Sequence, residues 1–399
     1  MERPEESPIW QGGLQERGTF RAVRKTSEIK TIPLTWVFAY KFDTNGYVTK
    51  FKARIFVRGD LQPKSDKDTY AATLAARVFR ALMAIAAAHN FEAYQLDAIS
   101  AFVNSQLDEI VHCRFPDGFD HPGLCLLLRR ALYELRRSPL LWLQEFFSTL
   151  RDLKLREVLE QPCLFVNDDG IIIFFYVDDI ILLCRPEKLP QLRELRAALM
   201  PRYEMRDLGE LTWFLGIRVI RDRSQRKLWL CQDSYIKKIA ASFHLTDRKP
   251  SATPMITEEL VPNSEQATPQ EIYLYQRKVG SLLYATTITR PDAARAANKL
   301  SEFLTNPSQR HQDAVDRAIS YLNGTHAMAI QFSASNTHHR AFTCASDAAY
   351  ADDPVTRYST EGYLFTLFGG PIDWRSTKQR TVTTSSTEAE LPALSHTAK

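Results

Sequence analysis

The sequence predicts an α+β fold, in which strand hairpins and separate helical stretches share a chain of 399 residues. Three observations predict it. Residues 171–184 form two apolar, β-rich runs around a short acidic turn, residues 35–57 form two further β-type runs joined through Asn45-Gly46, and alanine- or leucine-rich helical segments lie outside both hairpins. A composition of 44% hydrophobic and 25% charged residues is ordinary for a globular chain with a core, and the length suits two or three domains.

The elements follow one another along the chain with recognisable signals. After the first hairpin, alanines at 78–88 predict a helix, and the apolar run at 93–96 predicts a strand that ends in Asp97. Leucines at helical spacing over 189–199 predict a helix that packs under the sheet of the second hairpin. Prolines among polar residues predict a linker over 246–270, and residues 275–323 are helix-rich.

The net charge and the cysteine content exclude few classes of function. The net charge of +4 is compatible with a nucleic-acid partner and with many other partners. The six cysteines are scattered without zinc-type spacing, which favours a reducing compartment. The N-terminus lacks the apolar core of a signal peptide, and no apolar run is long enough to cross a membrane. We therefore expect an intracellular protein, cytoplasmic or nuclear, that is neither secreted nor membrane-bound.

Two adjacent aspartates, Asp178 and Asp179, lie between the apolar strands of the second hairpin. A solvated turn is the simple interpretation, because Asp is a common turn residue. The alternative is a metal site, because Mg²⁺ prefers carboxylate oxygens and a hairpin holds its ligands rigidly. Asp97 is a third carboxylate at a strand end, although an aspartate in that position is also a common helix N-cap.

The first hairpin predicts a cationic strand face. Alternation places Lys50, Lys52 and Arg54 on one side of its second strand, with Lys41 across on the partner strand. Such a face is often simply solvated, and it deters aggregation. Opposite an acidic metal site, however, basic side chains would help to neutralise a triphosphate.

The chain resembles the polymerase core of copia-type retrotransposon reverse transcriptases. The resemblance rests first on Gln95-Leu96-Asp97 with Ala101-Phe102, followed by Tyr176-Val177-Asp178-Asp179 in the same order and at a similar separation. It extends over nearly the whole chain from Trp10 onward. The further matching segments are residues 52–54, 116–119, 207–209, 214–217, 279–284, 289–292, 346–347, 374–379 and 385–390.

The resemblance implies a polymerase right hand of fingers, palm and thumb, followed by a partial α/β ribonuclease H-like domain. The expected domains are an N-terminal lead-in, the fingers and palm, a linker with the thumb or connection, and a truncated ribonuclease H-like domain, over residues 1–33, 34–245, 246–335 and 336–399. The implied function is RNA-directed DNA polymerisation. Its partners would be an RNA template, a DNA primer and deoxynucleoside triphosphates, whereas the sequence predicts no oligomeric state.

The resemblance also implies a set of site residues. The catalytic and metal-binding residues would be Asp97, Asp178 and Asp179, and Asp97 is expected to approach Asp178 so that they share two Mg²⁺ ions, or Mn²⁺ in their place. The implied nucleotide-binding residues are Lys52, Arg54, Phe102 and Arg137, and the implied primer-grip residues are Trp213, Phe214, Leu215 and Gly216.

Three departures from the family pattern cluster in one segment. Arg137 stands where the family has Gln, Glu134 replaces a glycine, and Leu140 replaces an arginine. We expect Arg137 to bind the triphosphate too tightly or to pair with the catalytic acids, so that restoring Gln would raise activity. The same departures favour the alternative function, a catalytically inactive remnant that at most binds nucleic acid.

The last part of the sequence resembles the start of a retroelement ribonuclease H. Asp347 and Glu390 match its first two metal ligands. The family uses two further aspartates, and two carboxylates are too few to hold both ions, so we expect no cleavage of the RNA in a hybrid. Asp352 and Asp353 precede Pro354 and are expected in an exposed turn. The helix-rich segment before them offers basic groups for phosphates, namely Arg277, Lys278 and Arg290.

Overall fold

A computed structural model describes residues 18–42, 47–64, 66–119, 121–334, 341–353 and 355–398. The chain divides into two compact units. The first contains the described residues up to Leu74 together with Tyr94–Gly209, and the second contains Ala75–Ala93 together with the described residues from Glu210 onward. Within these ranges no helix combines the length and the apolar character that crossing a membrane requires.

The first unit is built around a six-stranded sheet with the strand order β11-β4-β10-β9-β8-β7. In β9 and β10 most side chains are fully buried, because both strands are apolar over nearly their whole length. Helix α2, Ser138–Asp152, supplies aromatic rings to this core, and the ring of its Phe146 lies 4.7 Å from that of Phe175. The bounds are β4 Glu92–Ala98, α2 Ser138–Asp152, β7 Arg156–Val158, β8 Gln161–Val166, β9 Ile172–Tyr176, β10 Asp179–Cys184, α3 Leu189–Leu199 and β11 Met205–Glu210.

The same unit contains the first hairpin and a small sheet. The hairpin strands pair from Leu34 opposite Val57 up to Phe42 opposite Val48, while its expected Asn45-Gly46 turn lies outside the described residues. The end of the hairpin that contains Leu34 and Val57 packs in a hydrophobic core with Val111 and Leu126. The bounds are β1 Phe20–Arg24, β2 Leu34–Phe42, β3 Val48–Val57, β5 His112–Cys113 and β6 Leu124–Leu128, and the small sheet has the order β1-β6-β5.

The second unit combines two sheets with helices. Its helical core is apolar. Tyr275, Val279 and Leu282 of helix 269–288 are fully buried against residues of helices 233–242 and 309–324. The sheets have the orders β12-β13-β14-β15 and β16-β17-β18. The bounds are α1 Ala76–Ala88, β12 Trp213–Phe214, β13 Ile217–Asp222, β14 Lys227–Cys231, α4 Asp233–Ser242, α5 Pro269–Ile288, α6 Ala294–Ser301, α7 Gln309–Gly324, β15 Ile330–Ser333, β16 Phe342–Ala349, β17 Thr360–Leu367, β18 Gly370–Lys378 and α8 Ser386–Thr397.

A buried arginine ties three elements of the second unit together. Arg80 of α1 donates hydrogen bonds to the carbonyl oxygens of Thr287 and Ile288 at the end of α5, and to that of Ile372 in β18. Its guanidinium lies 4.1 Å from the centre of the Trp374 ring. Burial lowers the pKa of Arg80 to about 10, and the carboxylate of Asp373 opposes this shift. The guanidinium of Arg80 therefore stabilises the packing of α1 against α5 and β18.

The structure confirms the helices predicted at 78–88 and 189–199 and the strand predicted at 93–97, which extends one residue further, to Ala98. It contradicts the expectation that Lys278 and Arg290 are available for phosphates. Lys278 is buried and lies 2.6 Å from a carboxylate oxygen of Asp316, and Arg290 is 1% exposed and pairs with Asp292. Helical spacing alone does not reveal these partners, because Asp316 lies on another helix and Asp292 lies in the turn after Arg290. Arg277 is exposed, as expected.

Candidate active site

The structure places Asp97 and Asp178 side by side. Strand β4, which carries Asp97 near its end, lies between β11 and β10 in the sheet. The N–H of Ala98 donates a 2.8 Å hydrogen bond to the carbonyl oxygen of Asp178. Both carboxylates are half-buried, and both line a cavity of about 700 Å³. Two acidic groups that are 81 residues apart in the sequence therefore face one space.

Asp179 differs from its two neighbours. Its Oδ1 accepts a 2.7 Å hydrogen bond from Nε2 of Gln95, and Asp179 is not among the described residues that line the cavity. Burial raises the pKa of Asp179 to about 6, and the negative charges of Asp178 and Asp97 add to this effect, whereas the hydrogen bond from Gln95 opposes it. Asp179 is thus close enough for the charges of Asp97 and Asp178 to raise its pKa, but the side-chain amide of Gln95 holds one of its oxygens.

An arginine that the sequence analysis did not single out also reaches the cavity. Nη1 of Arg206, on β11, lies 3.7 Å from Oδ2 of Asp97, and its side chain is 52% exposed. The sequence feature that could have indicated Arg206 is its position directly before residues 207–209, which match the family pattern. The pair is partly solvated, so its Coulomb energy is modest.

The first hairpin forms another wall of the cavity. Lys50 and Arg54 line it together with aromatic side chains, among which Phe38 and Phe51 are 70% and 76% exposed. Lys52 belongs to β3, but its side chain lies outside the part of the chain that the structure describes. The cavity therefore has an acidic floor and a basic, aromatic wall.

Tyr133, rather than Phe102, lines the cavity among the described residues. Phe102 packs edge-on against the Tyr133 ring at 5.0 Å, and the guanidinium of Arg54 lies 5.7 Å from the centre of the same ring. Tyr133 lies in the same segment as Glu134, Arg137 and Leu140, but nothing in the sequence predicted that it lines the cavity. The following residue, Glu134, has a left-handed backbone with φ 69°, a conformation that favours glycine.

Arg137 does not reach the cavity. It is buried, its Nε and Nη2 donate to the two carboxylate oxygens of Asp108 at 3.0 and 2.5 Å, and its Nη1 donates to the carbonyl oxygen of Asp68. The hydrogen bonds from Arg137 lower the pKa of Asp108, burial opposes them, and Lys67 adds to the lowering. The expected pairing of Arg137 with a triphosphate or with the catalytic acids is therefore replaced by an internal ion pair.

The family model for reverse transcriptase (RNA-dependent DNA polymerase) matches residues 17–257, which is more than half of the chain. The chain belongs to this reverse transcriptase family. It is 33% identical to the retrovirus-related Pol polyprotein from transposon TNT 1-94 of Nicotiana tabacum, over 97% of this chain and 30% of that protein. It is 32% identical to that from transposon RE1 of Arabidopsis thaliana, over 93% of this chain and 25% of that protein.

A yeast relative matches over nearly its whole length. The chain is 31% identical to the transposon Ty5-1 protein of Saccharomyces cerevisiae, over 76% of this chain and 99% of that protein. These relatives confirm the resemblance to copia-type elements. The chain spans about a quarter to a third of the two plant polyproteins.

In this reverse transcriptase chain the four primer-grip candidates lie in the second unit. Trp213 and Phe214 form β12, and Leu215 and Gly216 form the tight turn into β13, with φ values of 49° and 76°. Phe214 is buried, whereas Trp213 and Leu215 are exposed. The hydroxyl of Tyr284, on α5, donates a 3.0 Å hydrogen bond to the carbonyl oxygen of Leu215. The turn is therefore fixed at one end and open to solvent.

The two ribonuclease H candidates lie close together. Asp347 is on β16, and the N–H of the next residue, Ala348, donates a 3.3 Å hydrogen bond to Oε1 of Glu390 on α8. The expected exposed turn is wrong for Asp353, which is buried and pairs with Lys378 and Lys299. Pro354 lies outside the described residues.

The donor set of the cavity fits a hard divalent cation in part. In the part of the chain that the structure describes, no group of three or more His, Cys, Asp or Glu side chains is arranged to hold a metal ion. Asp97 and Asp178, however, offer two carboxylates to the same cavity. A pair of carboxylates is the protein contribution that Mg²⁺ commonly uses when substrate phosphates and water complete its shell.

Proposed function

We propose that this chain is the RNA-directed DNA polymerase of a copia-type element, which adds deoxynucleotides to a primer 3′-hydroxyl on an RNA template. One observation carries the proposal: Asp97 and Asp178 share a cavity with Lys50 and Arg54. Phosphoryl transfer requires mainly positioning and relief of negative charge, and an acidic floor beneath a basic wall supplies both. Family membership supports the same chemistry.

Asp97 and Asp178 would hold the divalent metal. When bound, two Mg²⁺ ions, or Mn²⁺, would activate the primer hydroxyl and stabilise the charge that leaves with pyrophosphate. Asp179 would supply the third carboxylate for two ions through Oδ2, because the hydrogen bond from Gln95 is made to Oδ1.

The wall of the cavity would bind the triphosphate. Arg54 and Lys50, with Lys52 on the same strand, would donate to the phosphate oxygens, because charge-assisted hydrogen bonds from cationic side chains suit that group. Tyr133, supported by the Phe102 ring, would meet the sugar of the incoming nucleotide. Phe102 would then contribute indirectly, by holding the Tyr133 ring in place.

The remaining assignments follow the family. Residues 34–245 would form the fingers and palm, residues 246–335 the linker with the thumb or connection, and residues 336–399 a ribonuclease H-like part after the lead-in of residues 1–33. The exposed turn around Leu215 would grip the primer end. The loss of ribonuclease H activity stays a prediction, to be tested by release of labelled RNA fragments from a hybrid.

The decisive experiment is extension of a labelled DNA primer on an RNA template in the presence of Mg²⁺. Asp97→Asn and Asp178→Asn should each reduce extension by at least about a hundredfold, because each removes a ligand charge. Asp168→Asn is the matched control, since its side chain is 94% exposed in the first unit. Extension by Asp178→Asn at the rate of the parent would contradict the proposal.

The alternative function, an inactive remnant that only binds nucleic acid, drew its support from three departures. Two of them are accommodated, since Arg137 has a carboxylate partner in Asp108 and Leu140 is buried. Glu134 takes a left-handed backbone, which is strained for a residue other than glycine. Binding of a primer–template duplex without any extension by the parent would favour the remnant.

A further inference from the structure

The turn that carries Asp178 has an unusual backbone. Tyr176 pairs with Asp179 across β9 and β10, so Val177 and Asp178 are the two central residues of the turn. Val177 has a φ of 58°, and Asp178 is not among the described residues with positive φ. In a two-residue hairpin of this form the first central residue is normally glycine. A β-branched side chain there is strained, so other contacts must hold the turn.

A tryptophan from a neighbouring helix supplies one such contact. The indole Nε1–H of Trp142, on α2, donates a 2.7 Å hydrogen bond to the carbonyl oxygen of Val177. Trp142 is 1% exposed, and its ring packs against Phe146 at 5.3 Å and Tyr203 at 5.2 Å. The position and direction of the indole N–H are therefore set by the core.

The two peptide groups that flank the Asp178 side chain are both fixed. Trp142 binds the carbonyl before it, and Asp178's own carbonyl accepts a hydrogen bond from Ala98, next to Asp97. Rotation of the Val177–Asp178 peptide would break the hydrogen bond from Trp142. It would also change the direction in which the Asp178 side chain points. We propose that Trp142 is a positioning residue, which holds Asp178 beside Asp97 by fixing that peptide. Its relevance to catalysis rests on the proposed function, but the coupling to Val177 does not.

The test is a double-mutant cycle between Trp142→Phe and Val177→Gly. Phenylalanine retains an aromatic ring in the core and removes the N–H, whereas glycine adopts a positive φ without strain. In the parent, Trp142→Phe should lower kcat for primer extension about three- to tenfold, the range expected for one hydrogen bond, and should change KM for the nucleotide less than about twofold. With Val177→Gly, the same substitution should lower kcat less than about twofold.

Two further measurements do not depend on catalysis. Trp142→Phe should weaken Mn²⁺ binding, followed by electron paramagnetic resonance, and the loss should shrink when Val177 is glycine. The unfolding midpoints of the four proteins should show the same coupling. Trp229→Phe is the control, because it removes a tryptophan hydrogen bond, to Gln331, in the second unit. It should leave kcat and Mn²⁺ affinity unchanged.

The outcomes separate the two ideas. Equal losses in both backgrounds, or a lower unfolding midpoint with unchanged kcat and Mn²⁺ affinity, would show that Trp142 only fills the core and would overturn the inference. Absence of extension by the parent would count against the proposed function alone, because Mn²⁺ affinity and the unfolding midpoints would still report whether Trp142 and Val177 are coupled.

Discussion

Arg206 places a guanidinium nitrogen 3.7 Å from a carboxylate oxygen of Asp97, inside the same cavity. The arginine is on β11 and the aspartate on β4, which are neighbouring strands of the central sheet. A positive charge beside a metal ligand offsets part of the attraction that the ligand exerts on a cation. The same charge would favour the anionic triphosphate.

We expect Arg206→Gln to strengthen metal binding and to weaken nucleotide binding. Because Arg206 is half-exposed, the gain in Mn²⁺ affinity should be only about two- to fivefold. Electron paramagnetic resonance titration with Mn²⁺, without nucleotide, measures it. Arg202→Gln is the control, since Arg202 pairs with Asp152 and is not among the described residues that line the cavity. Weaker Mn²⁺ binding by Arg206→Gln would contradict this role for the arginine.

Arg137→Gln should destabilise the first unit and should not raise activity. Glutamine cannot replace the two-point contact with Asp108, so the free energy of unfolding should fall by about 1 to 2 kcal/mol at neutral pH. Chemical denaturation measures this loss. A rise in primer extension with unchanged stability would restore the original expectation that this position binds nucleotide.

The same substitution should change the response to acid. Arg137 lowers the pKa of Asp108 below its ordinary value of 3.8, so the stabilisation is present above about pH 4 and is lost as pH falls through the lowered pKa. In Arg137→Gln this loss on acidification should shrink. The difference in unfolding free energy between parent and variant should therefore be larger at pH 7 than at pH 3.

Phe51→Ala should weaken binding of single-stranded RNA. Phe51 is 76% exposed beside the basic residues of the cavity wall, and exposed aromatic rings next to cations are typical stacking surfaces for bases. Loss of one stacked base should lower affinity about five- to tenfold in a fluorescence anisotropy titration. Tyr70→Ala is the control, because Tyr70 is 75% exposed and is not among the described residues of the cavity wall. Equal affinity of Phe51→Ala and the parent would exclude stacking at this position.

Local patterns in the sequence predicted much of the secondary structure. The apolar runs around Asp178 and Asp179 are sufficient for a hairpin, and leucine spacing is sufficient for the helix at 189–199. The ordered series of short motifs also indicated the family, which the comparisons confirmed. These features depend on residues that are close in sequence.

Side-chain partners could not be predicted in the same way. Arg137 and Arg290 were expected to meet phosphates, yet each has a carboxylate partner and is buried. Burial depends on what packs over a side chain, and for Arg137 the partner is 29 residues away. An arginine in a sequence carries no sign of whether water or protein surrounds it.

The sequence by itself determined that the chain has an acidic hairpin, a basic hairpin and the motifs of a reverse transcriptase. Only the tertiary structure decided that Asp97 and Asp178 share a cavity while Asp179 is held by Gln95. It also decided that Trp142 supports the strained turn at Val177. The physical reason is that strand order in a sheet and helix packing on its face bring together groups separated by 35 to 84 residues, and periodicity carries no information over such distances.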